Sequence, residues 1–310
     1  MVMFGIDLVL LIPALMISAT PVLLAAIGEA VVEKSGVLNL GVEGMMITGA
    51  VIGFIIAVNT QIPIYGFICA AFAGALLSVI FAILTQYMMS NQVATGLGLT
   101  MVGLGLSALI GKPYEGIKSP TLTKLEIPIL SDIPILGPMI FSHDAIVYFS
   151  IFIIASVAFI IKKTRIGLIL RAVGENQDAA HALGYKVIRI RFIAIMFGGA
   201  AAGVGGAYIS LASVPQWTEG MTAGAGWIAL ALVVFSGWSP GRLLFGAYIF
   251  GGITILQLNL QAIGVNINIA ILSMAPYLAT ILALVLISMS RLHGKRGAPA
   301  CLGKSFVKTV

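Results

Sequence analysis

The sequence predicts an all-α fold: a polytopic helical bundle embedded in a membrane. Three observations carry that reading. Charged residues are only 9% of the 310-residue chain, against roughly 25% in soluble domains. The hydrophobic fraction is 60%, more apolar side chain than a soluble domain of this size can hide. The charges are also unevenly spaced: none falls in the 68 residues between Glu43 and Lys112, nor in the 48 between Arg242 and Arg291. Together these exclude a soluble enzyme, a disordered chain and a disulfide-framed secreted domain.

A spanning helix needs about 20 apolar residues. The longest gap therefore holds about three spans and the second two. Four shorter gaps, Asp7–Glu29, Asp144–Lys162, Arg191–Glu219 and Glu219–Arg242, hold one each. About nine spans result, with eight to ten compatible with the ends. They are 8–28, 40–58, 63–87, 93–111, 145–161, 192–212, 223–238, 243–262 and 271–290. The seventh is short enough to be a partial or tilted helix. The first seven residues lack a basic n-region and contain Asp7, so the first span is expected to be retained rather than cleaved.

Orientation follows from Lys and Arg. With segment 162–191 in the cytoplasm, 14 basic residues fall inside and 3 outside, which places the N-terminus out and the C-terminus in. Residues 1–290 then form the membrane domain, with 112–144 an outer loop holding five prolines and 162–191 a cytoplasmic segment. Residues 291–310 form a basic cytoplasmic tail, expected to be disordered. The net charge of +6 implies no nucleic acid, because the basic residues border apolar spans rather than covering a soluble face. Cys69 and Cys301 suggest neither a disulfide nor a metal site.

Small residues recur at four-residue spacing: Gly49 and Gly53, Gly199 and Gly203, Ala202 and Gly206. That spacing lets helices approach closely in lipid. It marks a compact bundle without naming a solute.

Three further features bear on function. Ala298 to Ser305 has the look of a phosphate-binding loop, but its first glycine is replaced by Ala298 and only five residues follow Ser305, too few for the helix such a loop needs. The chain is therefore expected to have no nucleotide-hydrolysis site, no enzyme activity and no cofactor of its own. Segment 28–46 sets Glu29, Glu33, Lys34, Asn39 and Glu43 between two apolar spans. Two readings stay open: a conformational element at the transport path or gate, or an interfacial loop with snorkelling charges. Segment 171–184 is too polar to span and too patterned for a linker. Asn176 can cap a short helix with Asp178 in its first turn, and Gly184 can stop it. Such a helix at the membrane face suits docking into a partner's groove.

Four stretches carry a resemblance spread over most of the chain. They are Gly36-Val-Leu-Asn-Leu-Gly-Val-Glu-Gly-Met-Met46, Arg171-Ala-Val-Gly-Glu-Asn176 through Gly184, Gly226-Trp-Ile-Ala-Leu-Ala-Leu-Val-Val-Phe235 and Pro276-Tyr277-Leu278. They resemble the permease subunits of bacterial ABC importers in the branched-chain amino acid, ribose and nucleoside superfamily. Asn91-Gln92-Val93-Ala94-Thr95-Gly96 is similar to the shorter permease of nucleoside and simple-sugar systems that use a basic membrane lipoprotein-type binding protein. The resemblance implies a plasma-membrane heterodimer with a second, longer permease. It also implies an ATPase with duplicated nucleotide-binding domains, which binds the ATP, and an extracytoplasmic substrate-binding lipoprotein. By matching position it gives an ATPase-coupling role to Arg171, Gly174, Glu175, Asn176, Ala180 and Gly184.

For the translocation path or gate the candidates are Asn39, Glu43, Asn91, Gln92, Thr95, Trp217 and Gln257. Polar groups in lipid need partners or a wet cavity, and Trp217 offers a stacking surface, although a tryptophan near a span end also serves as an interfacial anchor. The solute expected is a nucleoside or related sugar-containing compound. The alternatives are a pentose or hexose permease, or an ion-coupled secondary transporter in which a carboxylate such as Glu43 carries the ion.

Overall fold

A computed structural model describes residues 2–3, 6–126, 131, 133, 136–262, 271, 274–279, 281, 282, 285 and 298–307. Its helices up to residue 262 are, in chain order, α1 (Leu8–Lys34), α2 (Val42–Thr60), α3 (Pro63–Ala82), α4 (Gln92–Gly111), α5 (Leu136–Ile140), α6 (Ala145–Lys163), α7 (Arg165–Glu175), α8 (Gln177–Ala182), α9 (Val187–Tyr208), α10 (Ala225–Ser236) and α11 (Pro240–Ala262). α3 and α9 each end in a π-helical turn, Ile83–Tyr87 and Ile209–Ser213.

Among the described residues seven helices are long and apolar enough to span, within 11–34, 42–60, 63–87, 92–114, 145–163, 187–213 and 240–262. All seven overlap expected spans. The seventh expected span, 223–238, is the 12-residue α10, about 18 Å long at 1.5 Å per residue and so roughly half a bilayer core. Half of the ninth, 271–290, lies outside the described residues; those of it that are described are helical.

Local chemistry sets the boundaries. Asn91 caps α4 by accepting from the Ala94 amide, and Asp144 caps α6 by accepting from the Ile146 and Val147 amides. Pro63 opens α3 where its missing N–H is harmless. Within spans, hydroxyls satisfy themselves by donating to carbonyls three or four residues back, as Thr20, Thr85, Ser107 and Ser150 do.

α9 is the spine of the bundle, flanked by α1, α2 and α3. The reason lies in its run Gly198–Ala207. A Cβ at Gly206 would overlap the Met46 carbonyl of α2, and one at Gly203 would overlap the Ala70 carbonyl of α3. The helices therefore meet backbone to backbone, the packing that stabilises association in lipid. The small-residue pairs read from the sequence, Gly49 with Gly53 and Gly199 with Gly203, lie at these crossings. Large apolar side chains such as Phe72, Leu109, Phe152 and Phe245 project outward from α3, α4, α6 and α11, a surface for lipid or a second subunit.

At one end of the bundle lie the three lysines of loop 112–144, where residues 124–126 pair antiparallel with 142–144. Short bridges, Glu115 with Trp217 and Lys118 with Gln216, tie this loop to the one before α10. The Tyr208 hydroxyl donates to Asp144 at 2.7 Å, joining α9 to the start of α6. At the other, basic end lie Lys34, Lys162, α7, α8 and Arg242.

The tail departs from expectation. Residues 298–307 are not disordered but docked on the basic end. The Cys301 amide donates to Gly174 O (2.9 Å), the Gly303 amide to Gly36 O (3.1 Å), Arg191 Nη1 to Lys304 O (3.0 Å) and Gln177 Nε2 to Ser305 O (3.2 Å). Phe306 is buried with Val173, Ala180 and Val187 and meets the His181 ring edge-on. Composition emphasised the Gly, Pro and charge of this stretch and overlooked its two apolar anchors, Leu302 and Phe306. The look-alike phosphate loop is this strap.

Candidate functional site

Two places collect the residues singled out from the sequence, and a short stretch of chain joins them. The first is the basic end. Asn176 separates α7 from α8 and caps α8 through its Oδ1, which accepts from the Ala179 amide at 2.9 Å. The helix closes on Gly184 at φ 88°. There the Tyr185 amide donates to Ala180 O and the Gly184 amide to His181 O, the paired bonds of a left-handed helix stop. The six candidate coupling residues divide by direction. Arg171, Glu175, Asn176 and Gly184 are exposed, whereas Gly174 and Ala180 are buried. Gly174 must be glycine, since a Cβ would overlap the Lys34 carbonyl at the end of α1. Ala180 packs under α8 against Val173 and Phe306. Leu183, 77% exposed, stands at the tip beside Asp178 and Ala182.

The second place lies inside the bundle, where α2 and the half-length α10 begin side by side. Glu43, 3% exposed, sits in the first turn of α2. Its Oε1 accepts from Thr222 Oγ1 (2.6 Å) and the Gly224 amide (2.9 Å), and its Oε2 from the Gly226 amide (2.7 Å). A carboxylate thus sits at the positive start of α2 and closes that of α10. Gly226 permits it, because a Cβ there would lie 2.6 Å from the Glu43 backbone. At its other end α10 stops on Gly237 and Trp238, both at φ 55°, and the Trp238 indole donates to Glu33. α10 is therefore held at each end by a carboxylate from segment 29–43.

The connection 35–41 links the two places. Asn39, fully buried, donates from its backbone and side-chain amides to Glu29 (3.3 and 3.5 Å) and accepts from Gly41 (3.0 Å). Gln92 Oε1 accepts from the Leu38 amide at 2.8 Å. Arg191, fully buried at the start of α9, donates to Ser35 O (3.1 Å) as well as to the tail. Arg191 escaped the sequence reading, which treated it as one more basic residue of a polar segment. An arginine followed at once by the unbroken apolar run of α9 was the available signal.

Of the residues expected on a path or gate, Asn39, Glu43 and Gln92 are internal struts. Trp217 is also internal: 1% exposed, it packs on Gly111 beneath the outer loop. All four side chains are buried. Asn91 is an exposed cap, Thr95 shares a 2.8 Å hydrogen bond with Ser90 and is half-buried, and Gln257 is half-buried on α11. Among the described residues no group of three His, Cys, Asp or Glu side chains could hold a metal ion.

The chain matches, over residues 11–290, the family described as the branched-chain amino acid transport system permease component. It belongs to that family. Among curated proteins it is 37% identical to the putative glucose ABC transporter permease TsgC13 of Haloferax volcanii, over 86% of this chain and 88% of that one. It is 34% identical to the guanosine ABC transporter permease NupQ of Bacillus subtilis, over 96% and 97%. It is 29% identical to the nucleoside ABC transporter permease NupC of Lactococcus lactis, over 97% of each. No solved structure matches. The chain is thus the multi-pass membrane component of an ABC transporter, a permease and not itself an enzyme.

Proposed function

We propose that this permease is one half of the translocation unit of an ATP-driven nucleoside importer. The observation that carries the solute class is the end-to-end likeness to NupQ and NupC, which covers at least 96% of each chain. The likeness to TsgC13 favours a second reading, a sugar such as glucose. A partner permease of the longer kind is supported by weaker similarity to NupP and NupB, second permeases of the same two bacteria. The ATPase with duplicated cassettes and the substrate-binding lipoprotein complete the proposal. The basic end faces the cytoplasm, as the 14-to-3 division of Lys and Arg favours.

Coupling follows from the contacts. The ATPase grips the exposed face of α8 and Leu183. Because Gly174 rests on the last carbonyl of α1, and Arg191 holds Ser35, a push on α7 and α8 reaches the connection 35–41. That connection leads within a few residues to Glu43, and Glu43 holds the start of α10. Displacing α8 thus shifts the paired helix starts at the bundle centre, where a two-state change of access has to occur. Most solute affinity resides in the binding protein.

The test is reconstitution of the two permeases and ATPase in liposomes with the binding protein. ATP-dependent guanosine uptake, lost on Glu175→Ala or Gly174→Pro with membrane insertion intact, is the expected result. Unchanged uptake in both variants refutes the coupling assignment, and glucose uptake without guanosine uptake selects the second reading.

A further inference from the structure

The basic end contains a cleft whose wall includes two of the coupling candidates, Arg171 and Glu175. It has a volume of about 510 Å³ and lies between the ends of α1 and α6, the strap and the turn into α11. Four cations line it, Lys34, Lys162, Arg171 and Arg242, against one acid, Glu175. Among the described residues none of the four forms an ion pair. Their donors are largely idle: Arg171 Nε donates to Gly167 O and Arg242 Nη2 to Gly237 O at 3.5 Å. The Lys34 ammonium lies 5.9 Å above the Trp238 ring, which holds it at the cleft wall.

Ser239 and Pro240, at the start of the 23-residue α11, line the same cleft, so the positive end of that helix faces it. The indole bond of Trp238 to Glu33 and its amide bond to Val233 O fix the turn that leads into α11.

We infer that this cleft binds a phosphate group, that of an anionic phospholipid headgroup at the cytoplasmic leaflet. Four cations against one acid, together with a helix start, select an anion. A position at the membrane border between helix ends is where basic pockets take lipid headgroups. The inference rests on the orientation proposed above. A soluble phosphate has the same chemistry, and the experiment separates the two.

The full-length chain, purified in mild detergent, is offered phosphatidylglycerol or phosphatidylcholine of matched acyl chains, and retention is read by native mass spectrometry. The wild type is expected to retain phosphatidylglycerol preferentially. Each charge removed costs about fivefold, so Lys162→Gln with Arg242→Gln is expected to lower retention more than about tenfold. The charge-keeping pair Lys162→Arg with Arg242→Lys restores it, which separates binding from misfolding. Lys118→Gln at the other end leaves it unchanged. Inorganic phosphate is the second probe. Retention of the lipid in its presence upholds the headgroup, whereas full displacement overturns the lipid assignment in favour of soluble phosphate. Equal retention of phosphatidylglycerol by wild type and the Gln pair overturns the site. Because binding is read without ATP or solute, its loss bears on the cleft alone, and failed guanosine uptake bears on the transport reading alone.

Discussion

Replacing Glu43 by glutamine removes one charge and almost no volume. In the native site both carboxylate oxygens accept, one from Thr222 and Gly224 and the other from Gly226. Glutamine offers one oxygen and one amide nitrogen. The less costly arrangement keeps the oxygen on Thr222 and Gly224 and turns the nitrogen toward the Gly226 amide, so two donors oppose each other. The lost charged hydrogen bond costs about 1.5–3 kcal/mol, and the lost charge at the start of α10 about 0.5–1 kcal/mol more. Glu43→Gln should therefore destabilise the bundle by about 2–4 kcal/mol. The assay is thermal unfolding of the purified permease complex in detergent, paired with guanosine uptake in liposomes. A melting point lowered by several degrees with reduced uptake is expected. An unchanged melting point with uptake that loses dependence on an ion gradient would refute the reasoning, because Glu43 would then be an ion carrier and not a clamp.

Other outcomes follow from the same geometry. Gly206→Ala should abolish accumulation of folded permease, measured by size-exclusion chromatography, since its Cβ would meet the Met46 backbone; Gly98→Ala, with open space around it, should be tolerated and gain up to about 1 kcal/mol in helix propensity. Deleting residues 298–310 should leave the bundle inserted but cut transport-coupled ATP hydrolysis, because the strap holds α7 to the connection 35–41; Phe306→Ala, which empties a buried site worth about 3 kcal/mol, should reproduce part of that loss. Leu183→Asp should weaken co-purification of the ATPase at least tenfold by placing a carboxylate on the exposed tip of α8, with the melting point of the permease unchanged.

The bundle was legible in the sequence because lipid imposes simple rules. Charge-free gaps the length of a bilayer mark spans, and Lys and Arg mark one end. Asn176 and Gly184 announced the bounds of α8, since caps and helix stops are local chemistry. The tertiary roles of polar residues were not legible. Glu43, Asn39 and Gln92 read as path candidates because an intramembrane polar group needs a partner, and the partners lie far along the chain: Glu43 pairs with residues about 180 positions away. Segment 223–238 read as a partial or tilted helix from its length alone, but composition could not show that α10 starts against Glu43. The strap read as disorder because two apolar anchors among glycines and charges do not form a periodic signal.

The central claim is that this chain moves its solute only as part of an ATP-driven assembly. Guanosine uptake into liposomes measures it most directly, comparing the complete complex with the same complex carrying an ATPase disabled for hydrolysis. Uptake that requires ATP, the active ATPase and the binding protein is predicted. Uptake by this chain alone, driven by an ion gradient and indifferent to the ATPase, would contradict it.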